Sequence, residues 1–181
     1  QQDTLLYVGK VKVFLSRFDG ATGITLRNGS ISDAYLNIRE TPNGEMNIKE
    51  VVQHLTKKDK KKSNFSLKVK DVFLENINLV IEQHEHRHPS YGVDYGDMHI
   101  EHITALVDDF TLDGGRIGGY VRNFSAVEHC GFMVQNFTGH FLIDKGIIDL
   151  RDFEVMAESS DVRIKSLILR GEDWTSYKDF I

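Results

Sequence analysis

Residues 65–83, FSLKVKDVFLENINLVIEQ, alternate apolar and polar, lose phase, regain it, and lose it once more. Phe65, Leu67 and Val69 share one phase, Val72 and Leu74 the next, and Ile77, Leu79 and Ile81 a third. Period two is the signature of a strand with one apolar face. Such a strand cannot change phase without a bulge or a turn, because a one-residue slip sends every following side chain to the other face. Asp71 and Asn76 stand at the two slips. Their short side chains bond nearby backbone and tolerate unusual dihedrals. The stretch therefore reads as two or three short strands joined tightly.

The same pattern occurs earlier. Shifted by 43 residues, Ile24 falls on Leu67, Leu26 on Val69, Asn28 on Asp71, Ile31 on Leu74, Asp33 on Asn76, Leu36 on Leu79 and Ile38 on Ile81. Weaker copies begin at Met98, at Val134 and at Leu150, giving repeat-like units near 24–38, 67–81, 98–112 and 134–155. A repeated amphipathic strand cannot close a core alone and must stack on its neighbours.

Elsewhere the chain is punctuated in the same style. Val11, Val13 and Leu15 alternate, and Asp19-Gly20 marks a turn. Asn28-Gly29 signals a turn or bulge inside the first repeat unit, which reads as one interrupted strand or a tight hairpin. After Asn43-Gly44 the period changes. Ile48, Val51, Val52 and Leu55 lie on one helical face, with Asn47 as N-cap and Glu50 completing a capping box, so one short helix is expected near 48–56. Residues 84–95 are polar and hold Pro89 and Gly92, which makes them a loop. Asn123–Gly131 leaves room for a short helical turn, and Asp144-Lys145-Gly146 is a hairpin signal.

The expected fold is mainly β. It is a single β-rich domain over 1–181: a long twisted antiparallel sheet forming a groove (β-taco-like) or a half-open barrel, with that one helix. The helix can cover only a small part of the apolar face, so the sheet either folds over on itself or holds something apolar. The candidate lining residues are Ile24, Leu26, Ile31, Leu36, Ile38, Leu67, Val69, Leu74, Leu79 and Ile81.

Charge and composition remove several functions. A net charge of -5 gives no basic footprint for nucleic acid. No apolar run approaches the roughly 18 residues of a membrane span. Cys130 is the sole cysteine, so no internal disulfide can form. The abrupt start at Gln1 and the aromatic end at 174–181 suggest a piece of a longer protein. The run at 57–62, KKDKKK, reads as a solvated loop, with an acidic-lipid contact as the alternative.

No catalytic constellation emerges. His84, His86 and His88 would share a face in a strand, and three imidazoles can bind Zn²⁺, but Pro89 and polar neighbours favour a solvated loop. Asp108, Asp109 and Asp113 lack the spacing of a calcium loop. The glycines at 114–119 are followed by no Lys-Ser/Thr pair. A non-enzyme without cofactor is expected.

The order of motifs resembles the AsmA-like proteins. Leu36-Asn37-Ile38, Asn43-Gly44, and Asn47-Ile48 leading to Val51, Val52 and Leu55 resemble that family's strand, turn and short helix. Residues 67–76 resemble the strands that come after it, and Ser125, Cys130-Gly131-Phe132, Leu150–Phe153, Ser159-Ser160, Trp174, Tyr177 and Phe180 resemble the N-terminal part of Bacteroidetes TamB-like proteins. The resemblance implies a periplasmic protein with an inner-membrane anchor that this chain lacks. It implies a β-groove that shields phospholipid acyl chains between the two membranes. It also implies an alternative role in outer-membrane protein assembly, by strand pairing with an Omp85-type barrel or a client.

Overall fold

A computed structural model describes residues 4–20, 23–49 and 66–171. The chain forms eight strands: β1 (Leu6–Phe18), β2 (Gly23–Arg39), β3 (Ser66–Glu82), β4 (Asp97–Asp113), β5 (Arg116–Glu128), β6 (Met133–Asp144), β7 (Ile147–Ala157) and β8 (Ser160–Arg170). They lie in one sheet in sequence order, and β1 and β8 do not meet to close a barrel. Strands β2, β3 and β4 have 17 residues each. At about 3.3 Å per residue each spans roughly 55 Å, three times the usual strand.

The sheet is mixed rather than purely antiparallel. Strands β2 and β3 run parallel, and every other neighbouring pair is antiparallel. Parallel neighbours need a crossover instead of a hairpin. The connection here runs from Arg39 to Ser66, and the helix expected at 48–56 falls in it. Apart from Ile48 and Lys49 that helix lies outside the described residues. Asn47, expected as its N-cap, has its amide engaged with β2. The side-chain oxygen accepts the Arg39 N–H at 3.0 Å, and its NH₂ donates to the Asn37 carbonyl at 2.9 Å.

The 43-residue offset of the repeat is the register of the parallel ladder. Ile24 lies opposite Leu67, Leu26 opposite Val69, Ile31 opposite Leu74, Leu36 opposite Leu79 and Ile38 opposite Ile81. The phase slips do not end strands, contrary to the sequence reading. Asp33 and Asn76 adopt left-handed backbone, at φ 56° and 54°, inside unbroken strands, and the Asn76 amide donates to the Asp33 carboxylate at 2.7 Å. On β4, His102 does the same at φ 53°, where the ladder with β3 shifts register. One left-handed residue flips the phase as a bulge does, and the strand runs on. Asp71 is not left-handed. At its level the left-handed residue is Asp109 on β4, at φ 50°. At Asn28-Gly29 the bulge alternative holds and not the turn: β1 and β2 shift register beside Asn28, and β2 continues.

The other half is a meander. Residues 123–128 finish β5 as strand, with a turn at 129–130 instead of the helical turn allowed by the sequence. The hairpin at Asp144-Lys145-Gly146 forms as its sequence suggests, with Gly146 at φ 69°. Burial is shallow throughout. The buried apolar residues are Ala34, Val69, Val80, Ile103, Ala105 and Ala126, and no large side chain among the described residues is fully buried. A single sheet layer leaves a face open unless a second layer covers it.

Candidate functional site

Residues paired across a ladder present their side chains on one face. At one end of the sheet Phe18, Ile24, Leu67, Leu112, Ile117, Ile143, Ile148 and Leu169 are paired in a row that crosses all eight strands and is wholly apolar. Two residues along, Leu15, Leu26, Val69 and Phe110 make the next row, continued beyond the Asp109 bulge by Gly119, Phe141, Leu150 and Leu167. The interleaved row on the opposite face is mixed: Thr25, Lys68, Thr111, Gly118, Leu142, Asp149 and Ile168.

The apolar rows survive the slips. Past the first slip Val13, Gly29, Val72, Val107, Val121 and Gly139 are paired, and then Val11, Ile31, Leu74, Ala105 and Phe124. Two glycines show that the face has not changed. The Cβ position of Gly29 lies 3.6 Å from Cγ1 of Val69, and that of Gly119 lies 3.1 Å from Cγ1 of Val107 and 3.2 Å from the Phe141 ring. Side chains from before and after the slip therefore sit side by side. Phe124, Phe137 and Phe153 extend the surface by edge contacts, with ring centroids 6.1 and 5.3 Å apart. Past Asp33 and Asn76 apolar again pairs with apolar, in Val8, Ala34, Ile77 and Ile103 and in Leu6, Leu36, Leu79 and Ile100. The rows before that second slip alone cover on the order of 900 Å² at ordinary strand spacings. Within that footprint the β1 side chains are exposed and most of the others are half-buried.

All ten sequence candidates belong to these strands and pair two by two across β2 and β3. Val69 is buried, and the other nine are half-buried. Sequence reasoning missed how far the surface extends into β4–β8. In an antiparallel meander the partners run in reverse order, so the weaker copies at Met98, Val134 and Leu150 do not give the register.

The polar features lie apart from this surface. Arg151 grips Asp149 through two nitrogens, at 2.7 and 3.1 Å, and this pairing holds the buried Asp149 carboxyl below its ordinary value against its desolvation. Burial pushes the Glu128 carboxyl up. Hydrogen bonds from the Cys130 thiol and N–H and from the His99 N–H, with the His129 charge, outweigh it, and the net shift is down.

In the loop 83–96 the structure brings His86 and His88 together but not His84, whose backbone N–H donates to Glu40. The third member is Asp94, absent from the sequence candidates because it returns from beyond the bend at residues 90–92. His86 Nε2 is 3.0 Å from its Oδ1, and His88 Nδ1 is 2.7 Å from its Oδ2. Desolvation raises the Asp94 carboxyl, but the bonds to His88 and His86 and from the Gly96 N–H bring it down to about 2. The loop and the adjoining ends of β3 and β4 line an opening of about 550 Å³.

No helix among the described residues is long and apolar enough to cross a membrane. Comparison with models of known protein families, with curated proteins and with solved structures gave no match.

Proposed function

We propose that this chain is a non-catalytic segment of an AsmA- or TamB-like protein whose apolar sheet face shields phospholipid acyl chains between the inner and outer membranes. The observation that carries this reading is the wholly apolar row across all eight strands, with further apolar rows beside it that stay on the same face through the first phase slip. A fully extended acyl chain is about half the roughly 30 Å hydrocarbon thickness of a bilayer, so it fits along a 55 Å strand with length to spare. Each methylene laid on such a surface gains about 0.8 kcal/mol at full burial. Polar headgroups need no dedicated pocket in this scheme, since they stay in water at the margin. The order of sequence motifs supports the family, and with it a periplasmic location and an inner-membrane-anchored protein.

Native mass spectrometry of the purified protein tests the reading. Phospholipid should co-purify, and Leu67→Asp together with Leu74→Asp should abolish its retention while circular dichroism still reports a sheet. Absence of lipid from the unaltered protein, or retention unchanged in the double variant, contradicts it.

A second reading rests on the edge. Leu6, Val11, Val13, Leu15 and Phe18 of β1 are each more than half exposed, and one side of β1 faces no strand among the described residues. An edge of that length accepts another strand. The strand added would come from an Omp85-type barrel or a client protein. That role requires partner binding that persists when the apolar face carries charge.

A further inference from the structure

We infer that His86, His88 and Asp94 form a binding site for a transition-metal dication, Zn²⁺ by ligand chemistry, in the loop joining β3 to β4. Two imidazoles and one carboxylate are a borderline-soft donor set suited to Zn²⁺ and poorly suited to Ca²⁺ or Mg²⁺, which prefer all-oxygen shells. The three donor atoms already lie within 4.8 Å of one another. At Zn–N and Zn–O bonds of about 2.0–2.1 Å, neighbouring corners of a tetrahedron are about 3.3 Å apart. Measured to one donor atom, Asp94 Oδ2, the His86 and His88 separations are 3.2 and 2.7 Å, so the first already fits and the second must open by roughly half an ångström. Each imidazole then moves its proton to its other ring nitrogen, and the ion replaces two hydrogen bonds.

The loop is built around this arrangement. The Gly96 N–H donates to Asp94 Oδ1 at 3.0 Å and orients the carboxylate. Gly96 is buried beneath the His86 ring, and any side chain there would collide with ring carbons Cδ2 and Cγ. Gln83 N–H closes the loop base on the Gly96 carbonyl at 2.7 Å. His86 is thus held from below and is mostly buried, whereas His88 is 69% exposed and reaches in from solvent. Water would fill the fourth position.

A neighbouring trio, Glu82, Asp97 and His99, competes on paper. Glu82 is already bound to Arg39 at 2.8 Å, and its other oxygen is 3.9 Å from His99. An ion there would share the Glu82 carboxylate with a guanidinium, whose positive charge opposes it. The inference is independent of the lipid reading, since neither the apolar rows nor their occupant enters it.

Isothermal titration of the tag-free protein with ZnCl₂, followed by Co²⁺ absorption spectroscopy, tests the site. One ion should bind per chain, and Co²⁺ should show the visible bands of a four-coordinate site. His88→Ala removes an exposed side chain and leaves the sheet intact; it should weaken binding at least tenfold. Gly96→Ala should also weaken it, by displacing the His86 ring, while His84→Ala and His99→Ala should leave it unchanged. No stoichiometric binding overturns the inference. So does affinity unaffected by His88→Ala, or affinity lost in His99→Ala.

Discussion

The β2–β3 pair and the β5–β8 meander build the same apolar face by different means. In β2 and β3 the strands are parallel, so like residues must lie opposite like residues, and the sequence repeats itself at the register offset. Their slips are also shared, with Asp33 beside Asn76 and both left-handed. In β5–β8 each strand reverses on the last, the strands are shorter, and slips are handled one at a time, as at Asp152, left-handed at φ 47° beside the β6–β7 register shift. Apolar rows in register are therefore the requirement common to both halves. Repetition of sequence is a by-product of parallel pairing.

The largest expected effect separates the halves through two glycines of one row. At Gly139, φ is 150°, and a methyl group would lie 2.9 Å from Phe153 Cβ and 3.0 Å from its Cα. Gly139→Ala should cost about 2–3 kcal/mol in urea unfolding, because the backbone cannot yield cheaply. A methyl group at Gly29 meets only Val69 Cγ1, at an ordinary 3.6 Å. Gly29→Ala should stay within about 0.5 kcal/mol. Equal costs at the two sites would break the comparison.

A smaller effect sharpens the account of the slips. Asn76→Val places a β-branched residue in left-handed backbone and removes the bond to Asp33, for about 1–2 kcal/mol. Asp71→Val, at a position of extended backbone, should cost less than half as much by the same measurement. If both cost the same, Asp71 shares the strain that the left-handed backbone places on Asn76.

These positions show what the sequence discloses. Alternation identified the strands, since period two survives in any half-buried sheet. The offset identified the β2–β3 equivalence. Strand continuity past Asp33 and Asn76 was hidden, because a single left-handed Asp or Asn interrupts the alternation just as a turn would. The parallel direction was hidden too: the sequence between Arg39 and Ser66 reads equally as a loop with a helix or as a crossover. His86 and His88 were visible as a cluster. Asp94 was not, because the bend at residues 90–92 that brings it back has no periodicity to mark it.

The smallest effect concerns acid. Asp149 and Glu128, both in β5–β8, have carboxyls held below their ordinary values in the folded chain. A depressed folded value stabilises fully above the unfolded value, near pH 4, and that contribution is lost as pH falls through the folded value. Stability should therefore decline below about pH 4, and Asp149→Asn should flatten part of that decline in a series of urea titrations. An unchanged slope would remove Asp149 from the account.

The central claim is that one face of the sheet, and only one, meets acyl chains. Site-specific photo-crosslinking in the presence of phospholipid vesicles reads this directly, with a benzophenone side chain placed in turn at Leu67, Leu74 and Leu150 on the apolar rows and at Lys68, Thr111 and Asp149 on the opposite face. The account predicts phospholipid adducts from the first three positions and none from the other three. Adducts of equal yield from both faces, or adducts from neither, would contradict it.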